Sequence, residues 1–175
     1  AANDPGKIIG SSSITYANFA DFWSKVANEF KSNSKVQFAL MNEPHHMKVT
    51  TGEGAIGNKD GTTNWKDAAQ AAINAIRNAG AANLIIVPGT RWSGCHSWAN
   101  SDSNEAANSL VMDDIVDPQN NYAFECHQYL DGDSSGSSGT CYSETIGSER
   151  MQVFTNCLKD PTHKYKGYLG EFAGG

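Results

Sequence analysis

Apolar residues recur along the chain in two alternating rhythms. Phe19, Phe22, Trp23, Val26 and Phe30 fall at helical spacing after Thr15, which predicts a helix over 15–32 with Thr15 as its N-cap. The run at 36–41 reads as a buried strand. Ala68, Ala69, Ala72, Ile73 and Ile76 share one face of a helix predicted over 65–79, capped by Asn64 and stopped by Gly80. NLIIVPG predicts a strand over 83–87, ended by Pro88 and Gly89. A helix is predicted over 103–112 and a strand, YAFECHQYL, over 122–130. Met151, Phe154, Cys157 and Leu158 then line one side of a helix at 148–159, with Pro161 beyond it, and a last strand follows at 167–172.

The order is a helix, then strand and helix three times, then a strand. Such alternation implies a parallel sheet with crossover helices. Near-continuous apolar strands fit a sheet covered on both faces. A length of 175 residues suits one domain, residues 1–175, with a sizeable core. DGDSSGSSGT at 131–140 reads as a flexible polar loop, either a plain linker or a substrate contact.

Charge and cysteines narrow the classes. The net charge is −6 with no block of like charges, which argues against a nucleic-acid backbone as partner. No window approaches a membrane-spanning apolar run, so no membrane partner is expected. No signal peptide is visible, and AANDPG fits a mature or processed end. No GxGxxG or GxxxxGK[ST] follows any strand, so a phosphate cradle is disfavoured and no cofactor is indicated. Cys95, Cys126, Cys141 and Cys157 contain no CxxC spacing, which disfavours structural zinc. They allow three full pairings, and the sequence does not choose among them.

Polar residues cluster at the C-terminal ends of the strands: Asn42 and Glu43, Arg91 and Trp92, His127 and Tyr129, then Glu171. In parallel α/β folds that edge carries function. A lone glutamate there is ordinarily a cap or an ion-pair partner. Two of them on different strands suit glycoside hydrolysis, which needs one carboxyl to give a proton and another to attack or activate water. His127 and Tyr129 suit orienting a carboxylate, although His127 alone also suits a hydrogen-bonded core histidine. Trp92 and Trp98 suit either stacking on a sugar face or burial. His45 and His46 are neighbours that point differently with no third ligand evident, so no metal site is expected.

FALMNEPH, AINAIRNAGAANLIIVPG, HQYLDGDSSGSSGTC, SETIGSERMQVFTNCLK and GYLGEFAGG, in this order and spacing, resemble the glycoside hydrolase family 5 cellulases, especially endoglucanases of fungi and bacteria. The resemblance covers nearly the whole chain. It implies a retaining, endo-acting β-1,4-glucanase, extracellular, acting on cellulose, carboxymethylcellulose or mixed-linkage glucan. It also implies roles: Glu43 as acid/base, Glu171 as nucleophile, Asn42 beside the 2-hydroxyl, His127 and Tyr129 near the nucleophile, and Trp92 against glucan.

Counted against that family, the chain supplies the fourth to seventh strands of a (β/α)8 TIM barrel. The fold expected is therefore half a barrel. The family's early arginine, its third-strand histidine and its eighth-strand tryptophan have no counterpart here. The family's partner for the cysteine matching Cys141 is also missing. Half a barrel leaves two raw edges, on the NEP and GEF strands. Two copies pairing these edges about a two-fold axis would close eight strands, so a homodimer or higher even oligomer is expected.

Overall fold

The computed structural model describes residues 7–50, 58–161 and 165–174. Helix α1 (Tyr16–Phe30) begins at the expected cap. Thr15 Oγ1 accepts from the Asn18 N–H at 3.2 Å, and Asn18 Oδ1 accepts from the Thr15 N–H at 2.9 Å, a reciprocal capping box. Its buried spine is Phe19, Trp23 and Ala27, one residue every fourth position. Phe22 and Phe30 were expected on this face but are 55% and 46% exposed, because they flank the spine.

Strand β1 spans only Phe38–Ala39. The expected strand at 36–41 shrinks to the two residues that pair with the next strand, Phe38 with Ile85 and Ala39 with Ile86. Its hydrogen bonds end with the Leu40 N–H donating to the Ile86 carbonyl. Helix α2 (Gly61–Asn78) starts earlier than expected. Asp60, not Asn64, caps it, accepting from the N–H groups of Thr62 and Thr63 at 3.0 and 3.1 Å. Asn64 is buried instead. It accepts from the Tyr16 hydroxyl and donates to the Ile9 and Met47 carbonyls, tying three segments together. Gly80, at φ +84°, follows the helix in the left-handed conformation expected of a stop.

Strand β2 is Ile85–Pro88. The helix expected over 103–112 reduces to α3 (Asn108–Val111) and a 3-10 turn at Met112–Asp114. Asp102 accepts from the Asn104 and Glu105 N–H groups as a cap would, but the backbone turns helical only from Asn108. Strand β3 is Tyr122–Tyr129, helix α4 is Ile146–Leu158 and strand β4 is Gly167–Ala173.

The strands lie in the order β1-β2-β3-β4, all parallel, as the alternating pattern implied. They form a curled half-barrel. Helices α1 and α2 pack on β1 and β2 through Trp23, Phe38, Trp65 and Ile73, while farther along Trp98 contacts both Phe124 and Phe154. Trp98 is thereby a core residue, 2% exposed, and not a sugar platform. Arg77, in the last turn of α2, pairs with Asp117 in a buried fork of 2.7 and 2.8 Å, and its other donors reach the carbonyls of Ala81, Asn83 and Asn121. One cystine, Cys95–Cys126, joins the segment after β2 to β3. Closing that 31-residue span contributes roughly 4 kcal/mol in the chain-entropy account.

Strands β3 and β4 contain one irregularity. Glu125 pairs with Tyr168 and Cys126 with Leu169, but His127 pairs with Glu171, leaving Gly170 as an extra residue. In unbroken alternation Tyr168 and Glu171 would face opposite sides. The bulge puts Glu171 on the side shared by Glu125, His127 and Tyr129.

Candidate active site

Three strand ends converge. Alternation along β3 places Glu125, His127 and Tyr129 on one face. Glu43 follows β1 in a turn where its own φ is +45°, and the His45 ring nitrogen Nδ1 lies 2.8 Å from the Glu43 carbonyl. Glu171 arrives from β4 through the bulge. The Tyr129 hydroxyl donates to Glu171 Oε2 at 2.8 Å. Nδ1 of His127 lies 2.9 Å from Glu43 Oε1 and 3.5 Å from Glu171 Oε2, while its Nε2 lies 3.3 Å from Glu125 Oε1.

His127 is 4% exposed and faces carboxylates on both ring edges. Burial alone would lower its pKa. The bonds to Glu125 and Glu43 and the charge of Glu171 outweigh burial and lift it to about 9. The ring is therefore an imidazolium at neutral pH, a buried cation among three acids. Tyr129's hydroxyl is raised above the ordinary phenol value, first by its bond to Glu171.

A cleft of about 500 Å³ opens over this cluster, bounded by Glu43, Trp92, His96, His127, Tyr129 and Ser134. Trp92 is 48% exposed, and His45 stacks on one of its faces at 4.6 Å and 13°. Its aim comes from an unusual turn: Arg91, Trp92 and Ser93 take φ of +58°, +55° and +55°. Left-handed backbone costs L-residues roughly 1–2 kcal/mol each. Neighbouring bonds hold the turn. The Ser93 hydroxyl accepts from the Gly89 N–H and donates to the Glu125 carbonyl at 2.6 Å. The Trp92 N–H donates to the Pro44 carbonyl and the Cys95 N–H to the His127 carbonyl. With the cystine, successive residues 125, 126 and 127 of β3 each fasten the turn.

Hydrogen bonds organise the loop at 131–140. Asp131 accepts from the Gly136 and Ser138 N–H groups and the Ser135 hydroxyl, and Arg150 clamps the Asp131 and Gly132 carbonyls. Asp133, Ser134 and Ser135 thus border the cleft. Asn42 is exposed and borders a second, shallower depression of about 270 Å³ with Glu43 and His46, not the main cleft.

Sequence reasoning missed Glu125, hidden inside an apolar strand. The available signal was its position two residues before His127, hence on the same face. It also missed Arg91's ion pair with Asp102 at 2.5 Å and His96, whose pKa is lowered by burial. His96 Nδ1 is buried without a hydrogen-bond partner among the described residues. His45 and His46 serve as ring contacts to Trp92. Among the described residues, Glu43, His127 and Glu171 offer ligand atoms all within 4.8 Å of one another, a spacing a metal could use. An ion there would have to displace the proton that His127 directs at the two acids. The arrangement suits paired carboxylate chemistry more directly.

Comparison with known proteins places these features. The cellulase family model, glycosyl hydrolase family 5, matches residues 3–175. The chain is 40% identical over 171 residues to the probable endo-beta-1,4-glucanase B of Aspergillus kawachii, covering 97% of this chain and 44% of that relative. The crystal structure of the endo-beta-1,4-glucanase Xac0029 from Xanthomonas axonopodis pv. citri superposes with a TM-score of 0.84 at 44% identity, over 95% of this chain and 48% of the other. XacCel5A in complex with cellopentaose superposes with a TM-score of 0.83 at 43% identity, over 99% and 50%. The chain therefore spans about half the length of the relatives it matches.

Proposed function

The chain belongs to the cellulases of glycosyl hydrolase family 5, and from that premise we propose that it hydrolyses internal β-1,4-glucosidic bonds of soluble or amorphous β-glucan, with retention of anomeric configuration. The observation that carries this reading is the spacing of Glu43 and Glu171, whose nearest oxygens lie no more than 4.8 Å apart. Retaining pairs stand about 5 Å apart, whereas inverting pairs need room for an intervening water.

In this reading a Glu171 oxygen attacks the anomeric carbon. Glu43 gives its proton to the glycosidic oxygen as the carbon–oxygen bond breaks, and the leaving sugar departs as an alcohol. Glu43, now a carboxylate, takes a proton from water. That water attacks the same carbon and frees Glu171. Tyr129 holds the attacking carboxylate in place, and Trp92 offers its uncovered face to a sugar ring. Asn42 is assigned to the sugar's 2-hydroxyl, reached from the depression on the far side of Glu43. Secretion fits a polymer substrate that cannot enter a cell.

Glucan binding without cleavage is a second reading, favoured by the exposure of Asn42 outside the main cleft. Reducing-sugar release from carboxymethylcellulose, run beside pull-down on insoluble cellulose, separates the two. Release of reducing ends that Glu171→Gln abolishes supports hydrolysis. Pull-down without release supports binding alone.

A further inference from the structure

The third carboxylate of the cluster has no part in the two-glutamate scheme. Glu125 is 8% exposed, and its Oε1 lies 3.3 Å from Nε2 of His127. The space it occupies is set aside for it: a Cβ on Gly170 would collide with that same oxygen. A side chain on the bulge residue would thus displace the Glu125 carboxylate.

The chemistry of His127 follows from its neighbours. Carboxylates accept hydrogen bonds and do not donate them. A ring whose Nε2 meets one carboxyl oxygen and whose Nδ1 meets two is served best by donating from both. We propose that Glu125 is a positioning residue: by binding Nε2 from the sheet side, it keeps His127 doubly protonated and commits the Nδ1–H to the gap between Glu43 and Glu171. Without Glu125, a neutral ring could turn an unprotonated Nδ1 toward the two glutamates and repel them. With it, one fixed positive charge faces both acids throughout the reaction.

The groups facing His127 are Glu43 from the turn after β1, Glu125 on its own strand, and Glu171 from β4 with Tyr129 bound to it. Arg91 and His96 border the same cleft from the segment after β2. The raised pKa of His127 agrees with the geometry.

This inference rests on the hydrolase reading only for the purpose of the charge. The charge itself is measured without substrate, so the two ideas fail separately. The test is nitrogen NMR of ¹⁵N-histidine-labelled full chain across a pH titration, with His127 assigned from His127→Asn. The wild-type ring should show two protonated nitrogens at neutral pH. Glu125→Gln should lower its titration midpoint by roughly one to three pH units. Glu125→Asp should restore part of the shift, which loss of packing would not. Gly170→Ala, which crowds Glu125 without removing it, should move the midpoint the same way. A neutral His127 ring in the wild type at neutral pH overturns the proposal. So does an unchanged midpoint in a folded Glu125→Gln variant. If Glu125→Gln does not fold, the wild-type spectrum and Gly170→Ala decide.

Discussion

Tyr129 and Glu171 meet across the last two strands: the phenol donates to Oε2 of the carboxylate at 2.8 Å. The bond fixes which oxygen of Glu171 stays free to react. A hydrogen bond to a charged group is worth about 1.5–3 kcal/mol. Tyr129→Phe should therefore cost roughly 10- to 100-fold in kcat/KM on carboxymethylcellulose. Unaltered kinetics in that variant would remove Tyr129 from the site.

The two glutamates should separate by leaving group. Glu171→Gln should abolish cleavage of every glycoside. Glu43→Gln should lose about 10²–10⁴-fold on glucan yet spare aryl glycosides, whose leaving groups need little proton donation. Parallel loss on both substrates in Glu43→Gln would contradict the assignment.

His127 should also couple stability to pH. Its folded pKa, about 9, is raised above the ordinary value of 6.5. The folded state therefore binds the proton more tightly. That stabilisation is fully present below the unfolded value and is lost as pH rises through the folded one. Guanidinium midpoints should fall between about pH 6 and about pH 10, and the fall should be smaller in His127→Asn. Equal slopes in both proteins would deny the coupling.

Removing one arm of the buried Arg77–Asp117 fork leaves a charge without its partner. Asp117→Ala should cost about 3–5 kcal/mol of unfolding free energy, read from denaturant melts. A loss within the range of a surface substitution would mean the guanidinium finds other acceptors.

Self-association is expected from the open sheet. On β4, Tyr168, Leu169 and Phe172 are 40%, 40% and 71% exposed, and its outer edge has no strand partner among the described residues. Light scattering at micromolar concentration should report twice the monomer mass or a higher even multiple. A folded monomer would rule this out.

Much of this was legible in the sequence, and the reasons differ by residue. Element order came through because the apolar spacing switches between strand and helix rhythms, and Glu43, His127, Tyr129 and Glu171 stood out at strand ends. Glu125 did not, because it lies within an apolar run where charge is not expected. The left-handed turn at Arg91–Ser93 carries no glycine or asparagine to announce it, since distant bonds rather than local preference impose it. Asp60 displaced Asn64 as the cap because Asn64 was needed in the core by Tyr16, Ile9 and Met47. Trp98 and Trp92 share a residue type but not a fate, which only packing decides.

The bulge at Gly170 binds two positions into a shared inheritance. Deleting Gly170 would leave Glu171 opposite His127 in a flat ladder, so the reacting acid would still face the cleft. What the extra position cannot carry is a side chain, because a Cβ at 170 meets Oε1 of Glu125. The third acid at 125 therefore lasts only while the bulge residue stays glycine.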